Sequence, residues 1–200
     1  MPKLTLWMQM SLDGYAEGPD HAFDWPVVGP KLQRSFIDEL RHADAFVYGR
    51  RIYQMMASVW PGMATHPDAP PEAIEFARIW LPMPKFVFSQ TLADADWNTT
   101  VVREDVASSI RDLVAGSRHG VVAFGGPTFA ATLMRLRLVD EYQLFVHPVI
   151  LGGGTPLFGG VHERRRLELV SSRCYDDAVV GIRYMAASSP VQVPGRRAAA

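Results

Sequence analysis

Three places in the sequence set glycine, hydroxyl or guanidinium groups directly after an apolar run, and each can bind an anion. In VVAFGGPTFAA, Gly125 and Gly126 end the run and Pro127 opens a helical pattern. Two glycines remove the side chains that keep a phosphate away from the backbone, and a helix N-terminus adds free N–H groups and partial positive charge. Thr128 adds a hydroxyl. A tight strand–helix turn that merely needs glycine accounts for the same letters equally well. In VYGRRIYQ, Gly49 ends a run and Arg50 and Arg51 stand where a helix begins. Cations are unfavourable at that end of a helix unless an anion compensates, and two guanidinium forks suit a phosphate. The competing account is one solvent-facing arginine and one surface ion pair. In KFVFSQTL, Ser89, Gln90 and Thr91 offer hydrogen bonds after a third run, as polar residues after strands commonly do.

Two loops could complete a site. SLDGYAEG carries Asp13, Gly14 and Tyr15 and could close as a lid, or be a plain turn around Asp13-Gly14. HPVILGGGTPLFGG is glycine-rich but has Leu157 where a dinucleotide fingerprint needs its third glycine. Gly153, in its middle, could still line a substrate pocket or join a backbone nest, or the loop could simply bulge between strands. A proton must accompany the chemistry, from a pocket acid or from water, and Asp13 and Asp24 are the candidate donors. Histidines 21, 42, 66, 119, 147 and 162 show no metal-ligand spacing, so no metal is expected. No G-x-S-x-G elbow points to a serine nucleophile. Cys174 stands alone in an alternating run and reads as a small core residue.

These groups need a frame that brings strand ends together. Residues 3–10 read as a buried strand and 11–26 as a loop. Leu32, Phe36, Ile37 and Leu40 keep the period of a helix over 30–43. A strand over 43–49 leads to a helix over 50–60, broken by PGMATHPDAPP; a second helix opens at Pro70-Pro71 and runs to about Trp80. Strands at 85–89 and 100–102, a helix at 104–116 stopped by Gly116, a strand at 120–126 and a helix at 127–138 follow. That last helix stacks Phe129, Leu133 and Leu136. Thereafter come only strands: 140–150, then a hairpin of 165–175 and 179–186 turning at Asp176-Asp177. The order gives one α/β domain over 1–186: a mostly parallel central sheet, an antiparallel C-terminal edge and helices on both faces. Residues 187–200 carry no pattern and read as a disordered tail.

Composition is that of an ordinary globular chain, with 48% hydrophobic and 20% charged residues and a net charge of −1. Nothing in that balance draws the chain to nucleic acid or to an anionic membrane. No window is long and apolar enough to span a bilayer, and the first residues lack a signal peptide's apolar core. Cytoplasm is the expected location.

In chain order, SLDGY, DAFVYGRRIYQ, PKFVFSQTL, VVAFGGPTFAATLM and VDEYQLFVHPVILGGGTPLF resemble the family that joins dihydrofolate reductase to the C-terminal reductase domain of the riboflavin-biosynthesis protein RibD. The resemblance runs over residues 3–185. It implies a dihydrofolate-reductase-like three-layer fold, a homodimer, and an NADPH-dependent reductase acting on a small heterocyclic or carbonyl substrate. By the same resemblance the 2′-phosphate lies near Arg50 and Arg51, the adenine near Ser89 and Gln90, and the pyrophosphate on Gly125, Gly126 and Thr128. The nicotinamide then sits between the first strand, the SLDGY loop and the Gly125 junction. Two departures bear on the substrate. Where dihydrofolate reductases place a carboxylate early in the first helix, this chain has Lys31-Leu32-Gln33-Arg34. Where RibD carries its sugar-phosphate stretch, this chain reads SQTLADADW. The competing readings are a nucleotide-binding module without catalysis and a flavin-type reductase.

Overall fold

The computed structural model describes residues 1–187; of the expected tail at 187–200, all but Ala187 lies outside the described residues. Eight strands form the central sheet in the order β5-β4-β3-β6-β1-β7-β10-β9. They are β1 (Leu4–Ser11), β3 (Ala45–Gly49), β4 (Lys85–Phe88), β5 (Thr99–Val102), β6 (Val121–Phe124), β7 (Glu141–His147), β9 (Leu167–Tyr175) and β10 (Val179–Ala186). Only β10 runs against its neighbours, β7 and β9. The chain steps outward from β1 to β3, β4 and β5, then returns to place β6 between β3 and β1. The carboxyl ends of β1, β3, β4 and β6 therefore share one edge, where open α/β sheets bind ligands.

Alternation along the strands sorts the core into two layers. Leu4, Leu6, Ala45, Val47, Val121 and Ala123 face one side. There they meet Ile110 of α4 (Val106–Gly116) and Ala130 and Leu133 of α5 (Pro127–Arg135). Trp7, Phe46, Tyr48, Val87 and Val122 face the other. They meet Leu32, Phe36 and Leu40 of α1 (Pro30–Leu40), Tyr53 of α2 (Arg50–Met63) and Phe76 and Trp80 of α3 (Pro71–Trp80). Helices thus cover both faces of a dihydrofolate-reductase-like sheet.

Caps on three helices come from the side chains their ends need. Asp105 accepts from Ser108 N–H to start α4. The first residues of α1 have no such neighbour, since Gly29 is the N-cap. Asp176, in the turn between β9 and β10, reaches over instead and accepts from Lys31 and Leu32 N–H at 3.1 and 3.0 Å. A Cβ at Gly29 would meet that carboxylate at 2.5 Å. The end of α3 is held by Lys85, 1% exposed, which donates to the carbonyls of Trp80, Leu81 and Met83. Its ammonium also lies 4.3 Å from the Trp80 ring centroid. Burial pushes the Lys85 ammonium down to about 8. It stays charged at neutral pH.

Several boundaries differ from expectation. The helix from Arg50 passes through Pro61 to Met63, with the proline in the final turn, where its missing N–H forfeits one backbone bond to the preceding turn. The helix from Pro127 stops at Arg135, and Ala130, Leu133 and Met134 form its buried face while Leu136 is exposed. The segment read as one loop over 11–26 holds β2 (Tyr15–Glu17), which pairs with β8 (Thr155–Pro156) in the glycine-rich loop. Gly154 makes that pairing fit: its φ is +118°, and a Cβ there would lie 2.1 Å from the Glu17 carbonyl oxygen. Cys174 is exposed, not core, because β9 is the sheet's outer strand.

Candidate active site

Two cavities open along the carboxyl edge of the sheet, and they meet. The outer groove, 400 Å³, runs between the starts of α2 and α5 and the end of β4. Gly49, Arg50, Arg51, Ser89, Gln90 and Thr128 line it. The inner cavity, 340 Å³, lies between β1, α1 and α2. Glu17, Ile52, Gly126 and Pro127 belong to both walls. Arg50 and Gly126, far apart in sequence, share one groove.

The groove is open to an anion because of what its helices lack. Neither α2 nor α5 has a side-chain cap; their N-caps are Gly49 and Gly126. Capping side chains are worth about 0.5–2 kcal/mol, so two uncapped helix starts facing one groove leave that stabilisation for a ligand to supply. Glycine is also needed for approach. A Cβ at Gly49 would sit 3.0 Å from Phe129 Cβ, and one at Gly125 3.0 Å from Ala130 Cβ. At Gly126 it would project toward Ile52 at 3.3 Å and Glu17 at 3.8 Å, into the passage between the cavities.

The arginines divide their tasks. Arg51 donates toward Glu17 Oε1 at 3.5 Å and contacts His21 Nδ1 at 3.0 Å. His21 Nδ1 lies 2.7 Å from Glu17 Oε2. Arg50 is exposed and forms no ion pair with the described residues. One arginine is thus committed and one is free, the very pair of conditions that the simpler reading of this motif allowed. Ser89 Oγ accepts from Thr91 and Leu92 N–H at 3.2 and 3.0 Å, which leaves its proton to donate into the groove. Gln90 spends its amide on the Arg103 carbonyl at 2.8 Å.

The inner cavity is walled by aromatic rings, among them Trp7, Phe36, Trp60, Phe76 and Phe124, with Met55 and Met56. Its polar groups are Gln9, Gln33 and Glu17. Gln9 is oriented by a buried histidine. Val27 N–H donates to His147 Nδ1 at 3.0 Å, so the imidazole proton is on Nε2 and is given to Gln9 Oε1 at 2.6 Å. The Gln9 amide nitrogen is then the half left for the cavity. Burial pushes the His147 imidazole down to about 4, which keeps it neutral.

Of the residues expected to line a site, Gly49, Arg50, Arg51, Ser89, Gln90, Gly126 and Thr128 border the groove, and Gly125 and Gly126 the inner cavity. The expected proton donors and loop residues lie outside the two cavity walls. Asp13 lines neither cavity. Its carboxylate accepts from Ser11 Oγ at 2.7 Å and from Leu151 and Gly152 N–H at 3.1 and 2.8 Å. The Ser11 hydrogen bond foremost holds it below its usual range. It fastens the SLDGY turn to the glycine-rich loop. Asp24 is exposed and borders neither cavity. Gly14, Tyr15 and Gly153 lie in the β2–β8 flap: the Gly14 carbonyl accepts from Leu157 N–H at 2.9 Å, Tyr15 pairs with Pro156, and Gly153 abuts Pro19. The flap's contribution to the cavity wall is Ala16 and Glu17 instead. Ala16 carried no signal in sequence; Glu17 did, as the second acid of the SLDGYAEG segment. Gln9 carried a faint signal as a polar residue within an apolar strand. Among the described residues no group of three His, Cys, Asp or Glu is placed to hold a metal, and no helix is long and apolar enough to cross a membrane.

Comparison with known proteins agrees with this architecture. The uncharacterized protein YyaP of Bacillus subtilis is 29% identical over 182 residues, 91% of this chain and 94% of that protein. The crystal structure of a Shewanella sp. PV-4 protein named for riboflavin biosynthesis superposes with a TM-score of 0.71 at 22% identity, over 92% of this chain and 99% of that one. The Thermotoga maritima diaminohydroxyphosphoribosylaminopyrimidine deaminase/5-amino-6-(5-phosphoribosylamino)uracil reductase gives 0.63 at 15% identity, over 93% of this chain and 57% of that longer one. The RibD C-terminal domain family matches residues 2–180, and the chain belongs to that family.

Proposed function

We propose that the protein is an NADPH-dependent reductase of a small heterocyclic or carbonyl substrate. Family membership supports a reductase role; the family resemblance points to NADPH, and the groove's uncapped helix starts and Arg50 support a phosphorylated cofactor. The carrying observation is that a ring-sized aromatic cavity and an anion-binding groove meet at Gly126. NADPH would supply a hydride from nicotinamide C4 to an electron-poor C=O or C=N carbon. Arg50, Ser89, Thr128 and the starts of α2 and α5 would hold its phosphates. Gly125 and Gly126 keep the passage between groove and cavity clear of side chains. The flap and the aromatic wall exclude water from the reacting centre. Glu17 is the one carboxylate, among the described residues, bordering both cavities. Glu17, in contact with the exposed His21, is the candidate proton source in this reading, since Asp13 and Asp24 border neither cavity.

The test is NADPH consumption with pterins, pyrimidines, quinones and simple carbonyls, alongside a direct titration of NADPH binding. Turnover of any of them supports the reading. Tight NADPH binding with no turnover leaves a binding module, and no NADPH binding overturns the reading outright.

A further inference from the structure

The inner cavity has a composition that selects among substrates. We infer that it takes a flat, uncharged aromatic molecule that presents a hydrogen-bond acceptor to Gln9 and carries no phosphate or carboxylate. This rests on the reductase reading above and narrows it to a substrate class.

Shape and lining give the aromatic part. The floor is Trp7, Phe36, Leu40 and Phe76, none more than 9% exposed. Rings of this kind gain most from a second ring, by area burial and by stacked or edge contacts. Met55 and Met56 adapt to its outline.

Charge gives the uncharged part. No Arg, Lys or His is among the described residues lining the cavity, and the one formal charge is Glu17, its side chain 6% exposed. Arg51, the cation beside Glu17, borders the groove and not the cavity. An anion in the cavity would lose its water to aromatic carbon and face a carboxylate, with no fork to receive it. A sugar phosphate therefore has no seat there.

Gln9 gives the acceptor. The His147 tautomer fixes its oxygen toward Nε2, and its amide N–H groups have no partner among the described residues. A carbonyl oxygen or ring nitrogen of the substrate would satisfy them once a bound ring has displaced water from the cavity.

The experiment titrates the intact protein calorimetrically with quinolinone and with quinolinone carboxylate, which differ by one anionic group. The neutral ring is expected to bind and the carboxylate to bind at least about tenfold more weakly, a gap that corresponds to 1.4 kcal/mol. Glu17→Gln should narrow the gap, and Gln9→Leu should weaken the neutral ring by about three- to tenfold. The comparison of the two ligands on the unaltered chain stands whether or not either variant folds. Equal or tighter binding of the carboxylate, or no binding of the neutral ring, overturns the inference. NADPH is titrated in parallel. Failure of the ring with NADPH binding intact removes this inference alone, and failure of NADPH with ring binding intact removes the cofactor reading alone.

Discussion

Replacing Arg50 by alanine should separate the two nicotinamide cofactors. NADPH differs from NADH by the 2′-phosphate, so only a contact to that group changes their ratio. Arg51 is engaged by Glu17 at 3.5 Å and His21 at 3.0 Å, while Arg50 lines the groove and has no ion-pair partner among the described residues. A hydrogen bond to a charged group is worth about 1.5–3 kcal/mol. Arg50 is exposed, so water screens the contact and the lower end applies, about tenfold in affinity. Arg50→Ala should therefore weaken NADPH about tenfold and leave NADH nearly unchanged, with the NADPH loss shrinking as salt rises. Arg51→Ala should weaken both cofactors alike, because it strands the buried Glu17 carboxylate at the passage. Direct titration of both cofactors against both variants reads this out. Equal losses for NADPH and NADH on Arg50→Ala would refute the phosphate assignment, as would discrimination arising from Arg51→Ala.

Three further outcomes follow from the buried polar groups and the sheet edge. His147 is held down to about 4 by burial, below an unfolded value of about 6.5. Between those values the unfolded chain binds a proton that the folded chain refuses, so stability should fall as pH drops from about 6.5 through about 4. Urea unfolding across that range should show the slope, and His147→Gln should flatten it. Lys85→Met strips the carbonyls at the end of α3 of their donor, at a cost of about 1–3 kcal/mol for each carbonyl left bare. The melting point should drop by about 2–4 °C per kcal/mol while NADPH binding holds, since Lys85 sits at the opposite end of β4 from the groove. An unchanged melt would sink that account. The outer strand β9 exposes Leu169 and Val170, 60% and 53% accessible, and an open edge invites pairing. Light scattering is expected to give a dimer mass at micromolar concentration; a monomer mass would dismiss the homodimer.

Legibility in the sequence followed the range of the interactions. The groove was readable because each of its walls is a strand-to-helix junction, where Gly49, Gly126 and Pro127 punctuate the chain locally. The inner cavity was not. Trp7, Phe36, Met56 and Trp60 have the spacing of core residues, and only the gap between β1, α1 and α2 makes them a wall. Glu17 is buried because Arg51 and the β8 pairing cover it, and neither is adjacent in sequence. Strands of three and two residues, as in β2 and β8, are too short to show alternation. Asp13 had the chemistry of a proton donor and the position of a loop tie, and the backbone N–H groups of Leu151 and Gly152 decided between them.

The carboxylate of Asp176 fastens the final hairpin to the first turn of α1, the helix that brings Gln33, Phe36 and Leu40 to the wall of the inner cavity. Loosening the last two strands would therefore take away an anchor of that wall. Should a second copy dock along β9, its grip would tighten that wall from the molecule's rim, tying assembly to turnover without sharing a single residue of the cleft.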